Sequence, residues 1–360
     1  MTGWMTSEPL SSNGPVARFE SIGVHLPSVR VSTAELMAST RHRTKIQLER
    51  LTGIHERRIA SDGEDSFTLA VSAARDCLSR SAYSGADLDM VICTSISKYH
   101  GGMRQRLEPP LSMFVKDAIG AAGATSFDIS NACAGMLTGV FVLNDYIRRG
   151  VIRRGMVVSG ESISQLGRNA ATQIRSIMSR QLASLTLGDA GAAVIVDQAG
   201  PGDAGISVAA FTTLADHSRL CLAYPSRVGP GATMYTRARS IHHAAIESSP
   251  TLVKEALEPA GLDLGDIDWF IPHQTSARAI KQGLRTLEER MGVVPRHTVV
   301  NVEEYGNTSS TTHFVALHRY LRDGRFQQGD RILLLALASG IEIGVVVLTM
   351  DRLVDLPWAS

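Results

Sequence analysis

The stretch Leu143–Gly155 reads LNDYIRRGVIRRG, and in the second half of the chain Leu317–Gly329 reads LHRYLRDGRFQQG. A leucine, a tyrosine, an arginine and two glycines recur in register between the two copies. Each copy is typical of the end of an amphipathic helix, a glycine stop and the entry to an apolar strand. The chain is therefore predicted to contain an internal duplication.

A second pair of similar segments lies upstream of the first. Asp87–Ile92 reads DLDMVI and Asp266–Ile271 reads DIDWFI, at an offset slightly longer than that of the first pair. A helical stretch precedes each of them, near Phe67–Arg80 and near Pro250–Ala260. Because each half alternates helix with apolar strand, the pattern predicts an α/β fold built in layers.

Length and composition bound the domain count and the class of protein. With 360 residues, the chain suits two domains or one large duplicated one, and we place the two halves at residues 1–200 and 201–360. A chain that is 44% hydrophobic and 20% charged is typical of a soluble globular protein. The net charge of +1 gives no electrostatic case for binding nucleic acid.

Two segments bear on targeting. Met1–Gly14 is polar and has no basic start followed by an apolar run, so it is expected to be a flexible arm and not a signal peptide. Ile332–Met350 is nearly all apolar, but serine, glycine and glutamate interrupt its middle. Two buried strands joined by a glycine-containing turn explain this segment better than a membrane span does.

The four cysteines lie far apart, with no C-x-x-C pair and no histidine at metal-ligand spacing. This spacing argues against a zinc site and against a disulfide framework. A reducing cytoplasm is the expected location.

The repeat also indicates which residues meet. The spacing from Cys133 to Asn307 equals that from Leu143 to Leu317, so the repeat places Asn307 opposite Cys133. Each of these two residues follows an apolar strand and opens a helix, and His273 comes just past the second apolar strand of the pair described above. A pseudo-twofold axis between the halves would bring Cys133, His273 and Asn307 towards one centre.

None of the three residues carries a strong signal alone, and Cys133 lies at a strand-to-helix junction in the segment Asn131–Gly135. At a helix start its sulfur would face unpaired N–H groups and the positive end of the dipole, which predicts a lowered thiol pKa and a nucleophilic thiolate. Taken singly, each residue also has a purely structural interpretation. Cys133 could be a buried structural cysteine, His273 a core histidine, and Asn307 a helix cap.

Taken together, these features resemble a known family over almost the whole length of the chain: the β-ketoacyl-acyl-carrier-protein synthase III family of the thiolase superfamily. The segments that carry the resemblance are Thr52–Arg58 (TGIHERR), Asn131–Gly135 (NACAG), Leu187–Gly191 (LGDAG), His273–Gln274, Tyr305–Ser309 (YGNTS) and Ser339–Gly340.

The resemblance implies a five-layer α/β/α/β/α thiolase fold with two mixed sheets. It implies a homodimer paired through a strand at a sheet edge, for which the strand before Cys133 is the candidate. The family's cysteine, histidine and asparagine fall on Cys133, His273 and Asn307. The backbone N–H of Gly340 would join that of Cys133 in an oxyanion hole.

The implied reaction is a ping-pong Claisen condensation. Cys133 takes an acyl group from a thioester. His273 and Asn307 then stabilise the enolate of a second thioester, which attacks the acyl group to give a β-keto thioester. The resemblance implies no metal, flavin or nicotinamide cofactor. Acyl-CoA or acyl-carrier-protein thioesters would be substrates, and an acyl carrier protein would be a partner.

The chain departs from the family where the fatty-acid-initiating enzymes hold the CoA nucleotide. They carry a tryptophan and an arginine at positions that are Gln47 and Leu51 here. Arg50, next to the second position, is a candidate substitute. Arg278, in the segment that follows His273, matches a basic position at the carrier-binding mouth, although a solvated helix face would also explain it.

A second departure is Glu108, in the segment upstream of Cys133, where the initiating enzymes usually have an apolar residue. Its Glu-Pro loop is similar to that of olefin-biosynthesis enzymes, which condense two acyl-CoAs head to head with this glutamate as a base from the neighbouring subunit. The alternative interpretation is that Glu108 is a surface carboxylate without a catalytic role.

Decarboxylative condensation with a malonyl thioester is the leading function. The alternatives are head-to-head condensation, acyl transfer to an oxygen or nitrogen acceptor, a non-catalytic partner subunit, and a thiolase proper. The retained Cys133 weighs against the partner subunit. A thiolase would need a second catalytic cysteine after Gly340, and none is present.

Overall fold

A computed structural model of the chain describes residues 5–6, 15–42, 44–200 and 203–358. The strands in chain order are β1 (Met5–Thr6), β2 (Ala17–His25), β3 (Val29–Ser32), β4 (Glu56–Ile59), β5 (Met90–Cys93), β6 (Thr125–Asp128), β7 (Arg154–Glu161), β8 (Ala190–Gln198), β9 (Ile206–Thr213), β10 (Cys221–Pro225), β11 (Ala232–Thr236), β12 (Trp269–Pro272), β13 (His297–Thr298), β14 (Arg331–Ala338) and β15 (Glu342–Thr349).

The helices are α1 (Thr33–Ala38), α2 (Leu48–Thr52), α3 (Ser66–Arg80), α4 (Leu111–Ala118), α5 (Gly135–Arg148), α6 (Gln165–Ala171), α7 (Ala238–Leu257), α8 (Ala277–Met291), α9 (Val302–Tyr305) and α10 (Thr312–Arg322). Two of the short 3₁₀ turns matter for the site, Ala132–Ala134 before α5 and Ser309–Thr311 before α10.

Two mixed sheets repeat one arrangement of strands. The first has the order β2-β8-β7-β5-β6, and the second has the order β1-β9-β15-β14-β12-β13. In the first, β7, β5 and β6 run parallel, and so do β14, β12 and β13 in the second; the remaining pairs are antiparallel. Apart from the added β1, the orders and directions correspond strand for strand, which confirms the predicted duplication.

The helices α5 and α10 lie between the two sheets. In α5, Met136, Leu137, Val140, Leu143 and Ile147 are all fully buried, and they pack into one core with side chains of both sheets. A helix that is apolar on most of its circumference is stable only when it is covered on several sides. With α3 and α4 on the outer face of the first sheet and α7 and α8 outside the second, the five-layer α/β/α/β/α thiolase fold is confirmed.

The apolar segment Ile332–Met350 forms two buried antiparallel strands, β14 and β15, as the sequence predicts. Strands buried on both faces are apolar along their whole length, because neither face meets water. Separately, none of the helices in the described ranges combines the length and the apolar character needed to cross a bilayer.

The structure differs from the sequence-based expectations at two places outside the site. The helix expected near Pro250–Ala260 begins earlier, at Ala238, and Pro250 lies inside it, where burial of Leu252 and Val253 outweighs the lost hydrogen bond. Of the expected N-terminal arm, Met5 and Thr6 pair with β9, and the rest lies outside the described residues.

The strands of the first sheet lie between Ala17 and Gln198, and those of the second, apart from β1, between Ile206 and Thr349. The domain boundary at residues 200 and 201 remains a prediction.

Candidate active site

Cys133 lies in the 3₁₀ turn Ala132–Ala134, which leads from β6 into α5. The turn packs against β14 and against the Ser309–Thr311 turn of the other half. Ala132 has a φ of 44°, a left-handed conformation that is uncommon for a residue with a side chain. The tight turn places the sulfur at the junction between the halves, at a helix start as the sequence predicts.

Asn307 belongs to the same junction. Its backbone N–H donates to the carbonyl oxygen of Thr186 at 2.8 Å, and its own carbonyl oxygen accepts from the N–H of Gly188 at 3.0 Å. Its side-chain Oδ1 accepts from the backbone N–H of Ser309 at 2.9 Å. Because an N–H group only donates, this contact fixes the orientation of the amide and leaves Nδ2 to donate elsewhere.

The hydroxyl of Ser309 connects Asn307 to the cysteine. Its Oγ lies 3.5 Å from Sγ of Cys133. The structure therefore brings Cys133 and Asn307 together through Ser309, a residue that the sequence analysis did not single out as functional.

The thiol of Cys133 does not have the lowered pKa that its helix start predicts. Burial raises the pKa of this thiol to about 12, and the Ser309 hydrogen bond only partly opposes that effect. This expectation was wrong, since removing the sulfur from water disfavours its charged form more than one hydrogen bond favours it. Burial likewise raises the pKa of the Cys77 and Cys93 thiols to about 12, and both are core residues.

His273 follows β12 directly and is buried. Its backbone N–H donates to the carbonyl oxygen of Leu335 in β14 at 2.9 Å. The same oxygen lies 2.9 Å from Nε2 of His313, which must be the protonated nitrogen of that ring because a carbonyl only accepts. Nδ1 of His273 has no hydrogen-bond partner among the described residues.

Burial, with a smaller contribution from His313, lowers the pKa of His273 to about 3. The ring is therefore neutral at physiological pH, and it can donate one hydrogen bond but carries no charge. The structure places it at the end of β12, beside β14, and the Cys133 turn packs against β14.

Gly340 lies in the turn between β14 and β15. Its φ of 145° belongs to a region that residues with a Cβ rarely adopt, so the turn requires glycine. The turn follows the strand against which the Cys133 turn packs, and this agrees with an oxyanion role for its N–H, which remains a prediction.

Arg50 and Arg278 are both exposed, on neighbouring helices. Arg50 lies in α2 and lines a surface cavity of about 510 Å³. Arg278 lies in the first turn of α8. The two helices meet where Gly53 approaches Ala277 so closely that a Cβ on Gly53 would lie 2.8 Å from the Cβ of Ala277. Their roles in carrier binding remain predictions.

Glu108 is exposed, and in the described residues it makes no hydrogen bond with Cys133. It lies in a loop, residues 98–110, which we call the Glu108 loop. Asp128 holds both ends of this loop. Its Oδ2 lies 2.9 Å from Nζ of Lys98 and accepts from the N–H of Leu111 at 3.2 Å, and its Oδ1 accepts from the N–H of Ser112 at 2.9 Å.

A buried polar cluster behind the site escaped the sequence analysis. Glu161, at the end of β7, has no exposed surface, and its carboxylate accepts from the N–H groups of Ile96 and Ser97 and from the hydroxyls of Ser97 and Ser310. The run of hydroxyl residues in Ser309–Thr312 could have signalled it, because such a run at the start of an apolar helix requires buried partners.

Comparison with known proteins supplies the family. The model for 3-oxoacyl-[acyl-carrier-protein] synthase III matches residues 127–216, and the model for its C-terminal part matches residues 257–350. The β-ketoacyl-[acyl-carrier-protein] synthase III of Deinococcus deserti is 32% identical over 302 residues, which cover 82% of this chain and 80% of the relative. The chain belongs to the synthase III family.

Other synthase III relatives agree. The Bacillus cereus enzyme is 28% identical, with 84% of this chain and 88% of the relative covered. The crystal structure of synthase III from Aquifex aeolicus matches with a TM-score of 0.78 at 25% identity, over 93% of this chain and all of that one. OleA of Xanthomonas campestris, solved with lauric acid and lauroyl-CoA, shares the fold with a TM-score of 0.81 at 22% identity, over 93% and 99% of the two chains. This synthase III family member is thus a condensing enzyme of the thiolase superfamily.

Proposed function

We propose that the chain catalyses a ping-pong Claisen condensation between an acyl thioester and a malonyl thioester. The observation that carries the proposal is the contact of Cys133 with Ser309, whose N–H in turn holds the side chain of Asn307. It joins the candidate nucleophile of one half to the candidate enolate-binding residue of the other.

In the first half-reaction the sulfur of Cys133 attacks the thioester carbonyl. The carrier leaves as a thiol that takes up the proton lost by Cys133, and the acyl group stays on the sulfur. The N–H groups of Cys133 and Gly340 would receive the oxyanion that forms as the carbonyl becomes tetrahedral. We expect no metal, flavin or nicotinamide to take part.

In the second half-reaction the malonyl thioester loses CO₂, and the electron pair of the broken C–C bond forms an enolate. Nδ2 of Asn307 and the neutral ring of His273 would donate hydrogen bonds to the enolate oxygen. A neutral imidazole suits this role, because it can donate a hydrogen bond to the enolate oxygen without giving up its proton. The enolate carbon attacks the acyl carbonyl and expels the sulfur of Cys133, which gives a β-keto thioester.

One observation favours head-to-head condensation as a second candidate. Glu108 is exposed, without an ion-pair partner in the described part of the chain, on a loop whose two ends are held by Asp128. A carboxylate on a loop held in this way could enter the site of a second subunit and remove the α-proton of an acyl-CoA. Acyl transfer to an oxygen or nitrogen acceptor and a non-catalytic role have no such observation in their favour.

The proposal is tested by mass spectrometry of the intact protein after incubation with a panel of acyl-CoAs. One acyl group should appear on Cys133. Malonyl-CoA, malonyl-acyl carrier protein or a second acyl-CoA is then added, and the products are identified. A β-keto thioester made only with a malonyl donor supports the first candidate, and one made from acyl-CoA alone supports the second. An acyl group on any other residue would rule out both.

The same proposal includes a homodimer, acyl-CoA or acyl-carrier-protein substrates and a cytoplasmic location. Light scattering at micromolar concentration tests the dimer, because a monomer under these conditions would contradict it.

A further inference from the structure

Ser309 occupies a conformation that the rest of the site has to maintain. Its φ of 60° lies in the left-handed region, where residues other than glycine, asparagine and aspartate are uncommon. The residue is only 1% exposed. Strained backbone conformations of this kind cluster at functional sites, where the surrounding structure maintains them. Here the hydroxyl faces Sγ of Cys133.

The next residue anchors this turn to the first half of the molecule. Oγ of Ser310 donates to Oε1 of Glu161 at 2.5 Å and lies 2.8 Å from Oγ of Ser159. All three residues are fully buried. Glu161 itself is held by the N–H of Ile96 at 3.0 Å and that of Ser97 at 3.3 Å. The carboxylate is thus fixed from two sides and can serve as an immobile anchor for the Ser309 turn.

We propose that Ser309 is a catalytic residue whose hydroxyl donates a hydrogen bond to the sulfur of Cys133, and that Glu161, through Ser310, is a positioning residue that holds this hydroxyl in place. The inference rests on the proposed role of Cys133 as nucleophile. It is independent of which second thioester the enzyme uses.

Chemistry determines the direction of this hydrogen bond at the moment of reaction. A thiolate has no proton, so the hydroxyl must be the donor once Cys133 ionises. The same donation would stabilise the sulfur again when it is expelled at the end of the condensation. In the described part of the chain, no other side chain hydrogen-bonds to this sulfur. The titratable groups whose charges act on it are Cys221 and Glu161, and both oppose its ionisation.

The test measures how fast iodoacetamide alkylates Cys133 between pH 6 and 10, with peptide mapping to identify the modified cysteine. Ser309→Ala should slow alkylation at a given pH by about tenfold, as expected when one hydrogen bond to a charged group is lost. Ser309→Gly should do the same and should fold readily, because glycine accepts the positive φ. Acylation by acyl-CoA should slow in parallel.

The anchor is tested with a matched pair of variants. Ser310→Ala removes the link between Glu161 and the Ser309 turn, whereas Ser97→Ala removes a hydroxyl that donates to the other oxygen of the same carboxylate, at 3.2 Å. Ser310→Ala should slow alkylation severalfold, and Ser310→Thr should restore it. Ser97→Ala should slow it less, because the backbone N–H groups of Ile96 and Ser97 still hold the carboxylate.

The Ser309 variants test the donor role of the hydroxyl, and the Ser310 and Ser97 variants test the anchor. Alkylation of Ser309→Gly at the wild-type rate or faster would overturn the donor role, since the thiol would then be the donor or the contact would be idle. Equal effects of Ser310→Ala and Ser97→Ala would overturn the role of Glu161 as the anchor of this turn. The acyl group of the wild-type enzyme is mapped in the same experiment. If it is not on Cys133, the proposed function fails as well; if it is, only this inference is at stake.

Discussion

The imidazole rings of His273 and His313 lie 5.9 Å apart, centre to centre, and both residues are buried. The backbone of the first and the ring of the second donate to one carbonyl oxygen, that of Leu335. Burial lowers the pKa of His273 to about 3 and that of His313 to about 4. Two neutral rings therefore lie side by side under physiological conditions, and the first two predictions follow from this pair.

The rate of condensation should show no step from His273 between pH 5 and 8. A lowered pKa means that the ring gains its proton only below that range, so its form does not change across it. The measurement is kcat at saturating concentrations of both substrates against pH. A step near pH 6.5 that disappears in His273→Asn would contradict the neutral ring.

His273 and His313 should each lower folding stability as the pH drops below about 6.5. Both histidines have a lower pKa in the folded chain than in the unfolded one, so the unfolded chain binds more protons in this range. Each could contribute up to about 1.4 kcal/mol per pH unit. Urea unfolding at pH 7 and pH 5 measures the loss, and His313→Gln, whose amide can still donate to Leu335, should reduce it. An equal loss in that variant would count against the assignment.

Asn307→Asp should separate the two half-reactions. The new carboxylate can still accept from the N–H of Ser309, but it lacks the Nδ2 donor and adds a negative charge where the enolate forms. Acylation of Cys133 should persist, while condensation falls by about 10²–10³-fold, the usual loss for one oxyanion donor. Intact mass measures the first step, and product formation after addition of malonyl-CoA measures the second. Equal losses in both steps would mean that Asn307 acts mainly in keeping the turn in place.

Cys133 should react with iodoacetamide faster than Cys77 and Cys93, and its rate should continue to climb above pH 9. It is partly exposed, whereas Cys77 and Cys93 are buried, and its raised pKa delays the appearance of the thiolate to alkaline pH. Cys133→Ala should lose the acyl adduct completely. Peptide mapping checks both statements, with Cys221→Ala as the control that should keep the adduct.

Mixed dimers test whether Glu108 acts across an interface. Glu108→Ala should spare acylation of Cys133 and lower any product made from acyl-CoA alone by about 10²–10⁴-fold, as expected when a general base is removed. A dimer of one Cys133→Ala chain and one Glu108→Ala chain should regain one working site. If Glu108→Ala condenses malonyl and acyl thioesters normally, and the wild type never joins two acyl-CoAs, Glu108 is an ordinary loop residue.

The sequence predicts best what depends on periodicity and on the repeat. The spacing of the two repeat copies matches Cys133 with Asn307, and both precede helices that lie between the sheets. The apolar run Ile332–Met350 predicts β14 and β15, because buried strands need no polar face.

What depends on burial could not be predicted from the sequence. The raised pKa of Cys133 arises from partial burial of its thiol by segments that are distant in the sequence. The contacts of Ser310 with Ser159 and Glu161 join residues from opposite halves of the chain, so no local pattern contains them. The sequence shows the run of hydroxyl residues beginning at Ser309, but it does not show that Ser159 and Glu161 are the partners of Ser310.

Asp128 connects the edge of the first sheet to the Glu108 loop. This residue ends β6, the edge strand of the first sheet, and its carboxylate holds both ends of the Glu108 loop. If subunits pair along that edge and Glu108 acts in the neighbouring site, dilution that parts the subunits would also remove Glu108 from that site. Specific activity would then depend on enzyme concentration, and the cell could regulate the reaction through the amount of enzyme alone.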